Sequence, residues 1–119
     1  SGGAGDDVLV GQGGNDELTG GAGDDQVLGG AGDDILNGGA GNNILRDFSG
    51  DNTFVLSEEG FADVRGFDTG DRISLGADLQ FTDLTITQTR NNTLIETAGQ
   101  QIAVLRQVAA NTITESVFI

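Results

Sequence analysis

One apolar position recurs every nine residues through the first part of the chain, at Leu9, Leu18, Val27, Leu36, Leu45 and Phe54. The residues between these positions are polar and rich in glycine, and they repeat in frame. The units are Gly2–Val10, Gly11–Thr19, Gly20–Leu28, Gly29–Asn37 and Gly38–Arg46, with no insertion. Glycine holds positions one and four of all five units, and an aliphatic residue holds position eight. Position six is Asp in four units (Asp7, Asp16, Asp25, Asp34) and Asn43 in the fifth. A sixth, decayed unit follows from Asp47 to Val55, keeping Gly50 at position four, Asn52 at position six and Phe54 at position eight.

Nine residues cannot hold a helix and its turn, but they can hold a tight turn and a strand of about three residues. The glycines supply the positive φ angles of such a turn. Segments such as Val8-Leu9 and Ile35-Leu36 supply the strand. The spacing predicts two units per coil. Units one, three and five would stack on one edge and units two, four and six on the other. The position-eight side chains would then form an internal ladder.

From residue 56 the glycine falls away and apolar residues alternate with polar ones. Phe61–Leu75 reads as strand, turn and strand, and Leu84–Thr87, Thr93–Thr97 and Gln101–Leu105 as further strands. Turns are expected at Arg90-Asn91-Asn92 and Ala98-Gly99-Gln100. A stacked coil leaves its last strands unpaired, so a cover is physically required. The reading is an all-β chain: a parallel β-roll of about three coils over residues 1–55, capped by an antiparallel β meander over residues 56–119.

Composition narrows the chemistry. The 119 residues, the size of one domain, contain no Cys, His, Lys, Tyr, Trp, Met or Pro. Disulfides and thiolate metal sites are excluded, and the usual nucleophiles and general bases are missing, which points away from an enzyme. Nineteen acidic residues against five Arg give a net charge of −14, the opposite of a nucleic-acid footprint. No apolar run is long enough for a membrane span, and none opens the chain as a Sec-type signal would.

Stacking two units apart brings Asp7 towards Asp25 and Asp16 towards Asp34, which is repulsive unless a cation lies between them. Carboxylates with turn carbonyls form an all-oxygen set that suits Ca²⁺ and suits the strictly octahedral Mg²⁺ less well.

The nonapeptide G-G-x-G-x-D-x-U-x of these units resembles the repeat-in-toxin (RTX) signature, a calcium-binding parallel β-helix repeat. The resemblance implies calcium held between units n and n+2 by the two position-six side chains. Carbonyls at positions one and three of one unit, and two and four of the other, would complete the site. On this chain the pairs are Asp7 with Asp25, Asp16 with Asp34, Asp25 with Asn43 and Asp34 with Asn52. The implied carbonyls are those of Gly2, Ala4, Gly11, Gly13, Gly20, Gly21, Ala22, Gly23, Gly29, Gly30, Ala31, Gly32, Gly39 and Gly41. The two pairs containing Asn should be weak or empty, so two to four ions are expected. Asp6, Asp24 and Asp33 at position five are expected to face solvent.

Residues Phe67–Leu75 resemble the segment that follows the roll in RTX proteins, with Gly66 where that segment has Asp. Glu115–Ile119 resembles the acidic-then-hydrophobic tail of type I secretion substrates, and also reads as a last strand of the cap. Asp63, Asp68 and Asp71 are candidates for an extra cation site. Glu58-Glu59 reads as a surface pair. Taken together, the expected function is a non-catalytic calcium-binding module that folds on Ca²⁺ outside the cell. It would serve as the C-terminal folding and secretion unit of a larger secreted bacterial protein, with the type I secretion machinery as a partner. The alternative is an accessory module that binds an acidic, alginate-like polysaccharide next to an upstream domain. Clustering of Arg46, Arg65, Arg72, Arg90 and Arg106 on one face would favour the second reading.

Overall fold

In the computed structural model, which describes residues 1–77 and 79–119, every nonapeptide unit contributes to a strand, and the fifth, Gly38–Arg46, lies wholly within one. The strands are β1 (Gly3–Ala4), β2 (Val8–Gly13), β3 (Glu17–Ala22), β4 (Gln26–Ala31), β5 (Ile35–Arg46) and β6 (Thr53–Leu56). Beyond them come β7 (Gly60–Arg65), β8 (Arg72–Leu75), β9 (Leu84–Thr89), β10 (Asn92–Thr97) and β11 (Gln100–Leu105). The strands β2 to β4 run to six residues, twice the expected three, because positions two and three of the following unit also pair. Gln12 lies opposite Gly30 and Gly13 opposite Ala31, for example.

All pairing between units is parallel and in register. Leu9 faces Val27 and Val27 faces Leu45 in one sheet; Leu18 faces Leu36 and Leu36 faces Phe54 in the other. Strand β5 joins the two sheets, its first residues pairing with β3 and β6 and its last with β4 and β7. Of the predicted ladder, Val27, Leu36, Leu45 and Phe54 are fully buried. Leu9 and Leu18 are only half-buried, since the first coil is covered on one side.

The parallel roll continues one coil further than residue 55. Val64 of β7 stacks on Leu45, and Ile73 of β8 stacks on Phe54; both are fully buried. Phe61–Leu75 is therefore the fourth coil, not the start of an antiparallel meander. The offset between stacked residues grows from 18 to 19 here, so the unit that follows Val55 holds one extra residue. Among the described residues antiparallel pairing is confined to β9, β10 and β11. Strand β11 also pairs in parallel with β7, Leu105 opposite Val64, and so covers that edge of the roll. On the other sheet Phe118 bridges Ile73, and the Ile119 N–H donates to the Ile73 carbonyl at 2.9 Å. The residues Glu115–Val117 form a single 3-10 turn rather than a strand.

Candidate metal centre

The turns place the position-six side chains in two columns. Asp7 N–H donates to Asp25 Oδ1 at 2.9 Å, and Asp25 N–H donates to Asn43 Oδ1 at 2.8 Å. In the other column Asp16 N–H donates to Asp34 Oδ1 at 2.7 Å, Asp34 N–H to Asn52 Oδ1 at 2.8 Å, and Asn52 N–H to Asp71 Oδ1 at 2.7 Å. One oxygen of the Asp25, Asp34 and Asp71 carboxylates thus ties successive coils together. Oδ2 of Asp7, Asp16, Asp25 and Asp34 is left over, buried with no hydrogen-bond partner. Asp25 and Asp34 are 1% exposed. Burying a carboxylate oxygen unsatisfied is costly, and a cation is the simplest group that satisfies a carboxylate acceptor.

The position-one glycines shape the space around these oxygens. A Cβ added to Gly2 would meet Asp7 Oδ2. One added to Gly11 would meet Asp16 Oδ2 and the Gly29 carbonyl, and one on Gly20 would meet Asp25 Oδ2 and the Gly38 carbonyl. Each cradle therefore offers a carboxylate oxygen and, in these last two, a carbonyl oxygen of the next coil. Such donors fit a hard cation. Among the described residues no three acidic side chains gather at one point, so backbone oxygens have to supply most of the coordination.

The other residues expected as carbonyl donors sit in the same turns. Ala4 pairs with Ala22, Gly13 with Ala31, and Gly21 with Gly39, while the Ala22 carbonyl accepts the Gly5 N–H at 2.7 Å. Gly21, Gly23, Gly30, Gly32, Gly39 and Gly41 all have the left-handed φ that the turn requires.

Where Asn replaces Asp, the turn closes on itself. Asn43 Nδ2 donates to the Gly39 and Ala40 carbonyls at 3.2 and 3.4 Å, and Asn52 Nδ2 donates to the Ser49 carbonyl at 3.0 Å. Neither side chain leaves an orphaned atom. The position-five residues form their own exposed ladder. Asp24 N–H donates to Asp6 Oδ1, Asp33 N–H to Asn15 Oδ1 and Asn42 N–H to Asp24 Oδ1, at 2.8 to 2.9 Å.

The extra site anticipated at Asp63, Asp68 and Asp71 does not assemble. Asp63 is ion-paired with Arg65 at 3.1 Å and Arg106 at 2.9 Å. Burial pushes its carboxyl up, but the two guanidinium groups outweigh that and hold it below the usual range. Asp71 instead takes the position-six place of the fourth coil. Its Oδ2 accepts the Asp68 N–H at 2.9 Å, and burial raises its pKa.

Two acids were missed from the sequence as parts of these turns: Asp71, hidden by the extra residue, and Asp47. Asp47 stands at position one, where the intact units have glycine, and is 2% exposed. Its Oδ2 is also buried without a partner. Burial, and then the facing Asp34 carboxyl, push Asp47 up to about 6 against the Ser49 N–H that it accepts.

Residues 1–36 and 28–58 match the profile of the RTX calcium-binding nonapeptide repeat, four copies of which make up that profile. No curated protein sequence matches the chain. Among solved structures, the extracellular lipase of Serratia marcescens is similar over 100% of this chain, with a TM-score of 0.82 and 28% identity. This chain spans only 20% of the lipase. A subunit of the mannuronan C5-epimerase of Azotobacter vinelandii matches over 100% of this chain and 80% of its own length, with a TM-score of 0.73 and 25% identity.

Proposed function

Residues 1–58 belong to the RTX family of calcium-binding nonapeptide repeats, and from that premise we propose that the chain is a module whose roll folds when calcium binds. The observation that carries this is the set of buried position-six oxygens, Oδ2 of Asp7, Asp16, Asp25 and Asp34, that have no partner within the protein. Bound calcium supplies the positive charge these oxygens lack. Without it, the same aspartates repel one another across successive coils, and the binding free energy becomes folding free energy. Four ions would bring the net charge from −14 to about −6. Millimolar calcium outside a cell and its scarcity inside would make folding follow export. That suits a folding unit of a larger secreted bacterial protein that leaves by a type I route, and the extracellular lipase neighbour supports it.

Titrating the EDTA-treated protein with calcium, read by far-UV circular dichroism, tests this. A cooperative gain of β signal is expected at about 10⁻⁴–10⁻³ M calcium, and magnesium should not reproduce it. A spectrum already folded in EDTA and unchanged by calcium would sink the folding role.

A second reading, recognition of an acidic polysaccharide, is favoured by the arginines. Arg65, Arg90 and Arg106 line one cavity of about 580 Å³ together with Phe48 and Asn92. Arg46, the register partner of Arg65, lies with its guanidinium 5.3 Å from the centre of the Phe48 ring. Four of the five Arg thus share a face of an otherwise acidic chain, and Arg72 lines a different cavity. Guanidinium groups beside an aromatic ring suit the carboxylates and flat faces of uronate sugars. Calorimetry with oligouronates in calcium should show binding that neutral oligosaccharides lack and that Arg46→Ala with Arg90→Ala weakens. Equal response to both sugars would remove this reading.

A further inference from the structure

The buried, unpartnered carboxylate oxygens include one outside the position-six columns, Asp47 Oδ2. A Cβ added to Gly29 would meet Asp47 Oδ2 and Asp34 Oδ2 together. The neighbouring cradles at Gly11 and Gly20 present one carboxylate each, and there the second oxygen is the carbonyl of Gly29 or Gly38. At the fourth unit, then, a carboxylate from position one of the sixth unit enters the cradle. The Asp47 Oδ1 accepts the Ser49 N–H at 3.1 Å, which fixes the side chain and leaves Oδ2 aimed at Asp34. Asp34 and Asp47 are 1% and 2% exposed, so water does not screen the pair.

The residue that should have supplied the second charge here is Asn52. Its Oδ1 accepts the Asp34 N–H and its Nδ2 donates to the Ser49 carbonyl, so its amide is tied into the turn and brings no charge. We propose that Asp47 is a calcium ligand that replaces the missing position-six carboxylate, making Asp34 and Asp47 a complete two-carboxylate site between the fourth and sixth units. This deepens the calcium reading above and rests on it. The site between the third and fifth units has no such replacement, because Gly38 carries no side chain and Asn43 is neutral. With the position-six pairs that the repeat implies, the chain then has three carboxylate pairs, Asp7/Asp25, Asp16/Asp34 and Asp34/Asp47, with Asp34 shared by the last two, and one weaker pair at Asp25/Asn43. The pair that the repeat pattern alone marks as weak, Asp34 with Asn52, becomes a strong one.

Ligand charge count tunes calcium affinity in oxygen sites, so the number of tightly bound ions reads the proposal directly. Native mass spectrometry and calorimetry on the whole chain would compare wild type, Asp47→Asn and the double variant Asp47→Asn/Asn52→Asp. The single substitution should remove one tightly bound calcium. The double variant, which returns the carboxylate to position six, should regain it. Should Asp47→Asn fail to fold even in calcium, the double variant carries the test: the wild-type number supports the proposal and fewer ions overturn it. An unchanged number and affinity in a folded Asp47→Asn protein would also overturn it, leaving Asp34 and Asp47 as a pair that shares a proton. Absence of calcium binding by wild type would instead sink the calcium reading itself.

Discussion

At position six, asparagine and aspartate have nearly the same shape and opposite consequences. Asn43 turns its amide nitrogen onto the Gly39 and Ala40 carbonyls, while Asp25 in the previous coil leaves Oδ2 buried and alone. The loss of charge was legible in the sequence; the self-closing hydrogen bonds were not, because they depend on where the turn points its carbonyls. Asp63 shows the same limit. Its proximity in sequence to Asp68 and Asp71 suggested a cation site, but the fold places Arg106, 43 residues away, against it. This ion pair has a pH signature. The folded-state pKa of Asp63 lies below the ordinary 3.8, so its contribution to stability is present above that value and is lost as pH falls through the lowered one. Arg65 and Arg106 are partly exposed, which limits the contribution to about 1 kcal/mol. Thermal melts of Asp63→Asn against wild type should show that gap at neutral pH and a shrinking gap in acid. A gap that persisted undiminished at low pH would assign the effect to packing instead of charge.

The unit of the fold is a turn that must lie flat against the turn two units before it. Gly39 shows what this demands: its φ is +82°, and an added Cβ would run into the Gly21 carbonyl of the coil above. Gly3, with φ +100°, has nothing within 4 Å because no coil lies over it, and Gln12 carries a side chain at φ +75° in the same outer coil. Gly3→Ala should therefore cost only the left-handed penalty of about 1–2 kcal/mol, and Gly39→Ala clearly more, since the backbone of two coils must separate. Melting temperatures in saturating calcium would measure both; equal losses would mean that stacking is looser than the structure shows. The same requirement explains which elements could be read from the sequence. Five units announce themselves because stacking needs glycine at fixed places. The fourth coil does not: Ala62 stands at position six of its first half, one residue is inserted, and Asp71 with the buried Val64 and Ile73 is what keeps the pattern. Alternation in Phe61–Arg65 suits a parallel strand as well as an antiparallel one, so the partner strand, not the period, decided the topology.

For the whole molecule, two kinds of electrostatic cost oppose folding, and they respond differently to salt. The net charge of −14 is a long-range self-repulsion that any electrolyte screens. The orphaned oxygens of Asp7, Asp16, Asp25, Asp34 and Asp47 are a local cost, because they are shut away from water and dissolved sodium alike. Strands β9 to β11 carry neither burden to the same degree: Ile95, Ile102 and Leu105 are fully buried there, and no carboxylate oxygen is orphaned among their described residues. In EDTA with about 1 M NaCl, where the Debye length is ~3 Å, the first cost is nearly gone and the second is intact. Circular dichroism under that condition should show a partial β spectrum, and about 1 mM calcium at low ionic strength should add the remainder. The sodium-treated chain should also melt well below the calcium-bound one. If NaCl alone restored the full spectrum and the same melting temperature, net charge would be the whole barrier to folding, and the buried aspartates would have to be satisfied by protons or by water instead of by a bound ion.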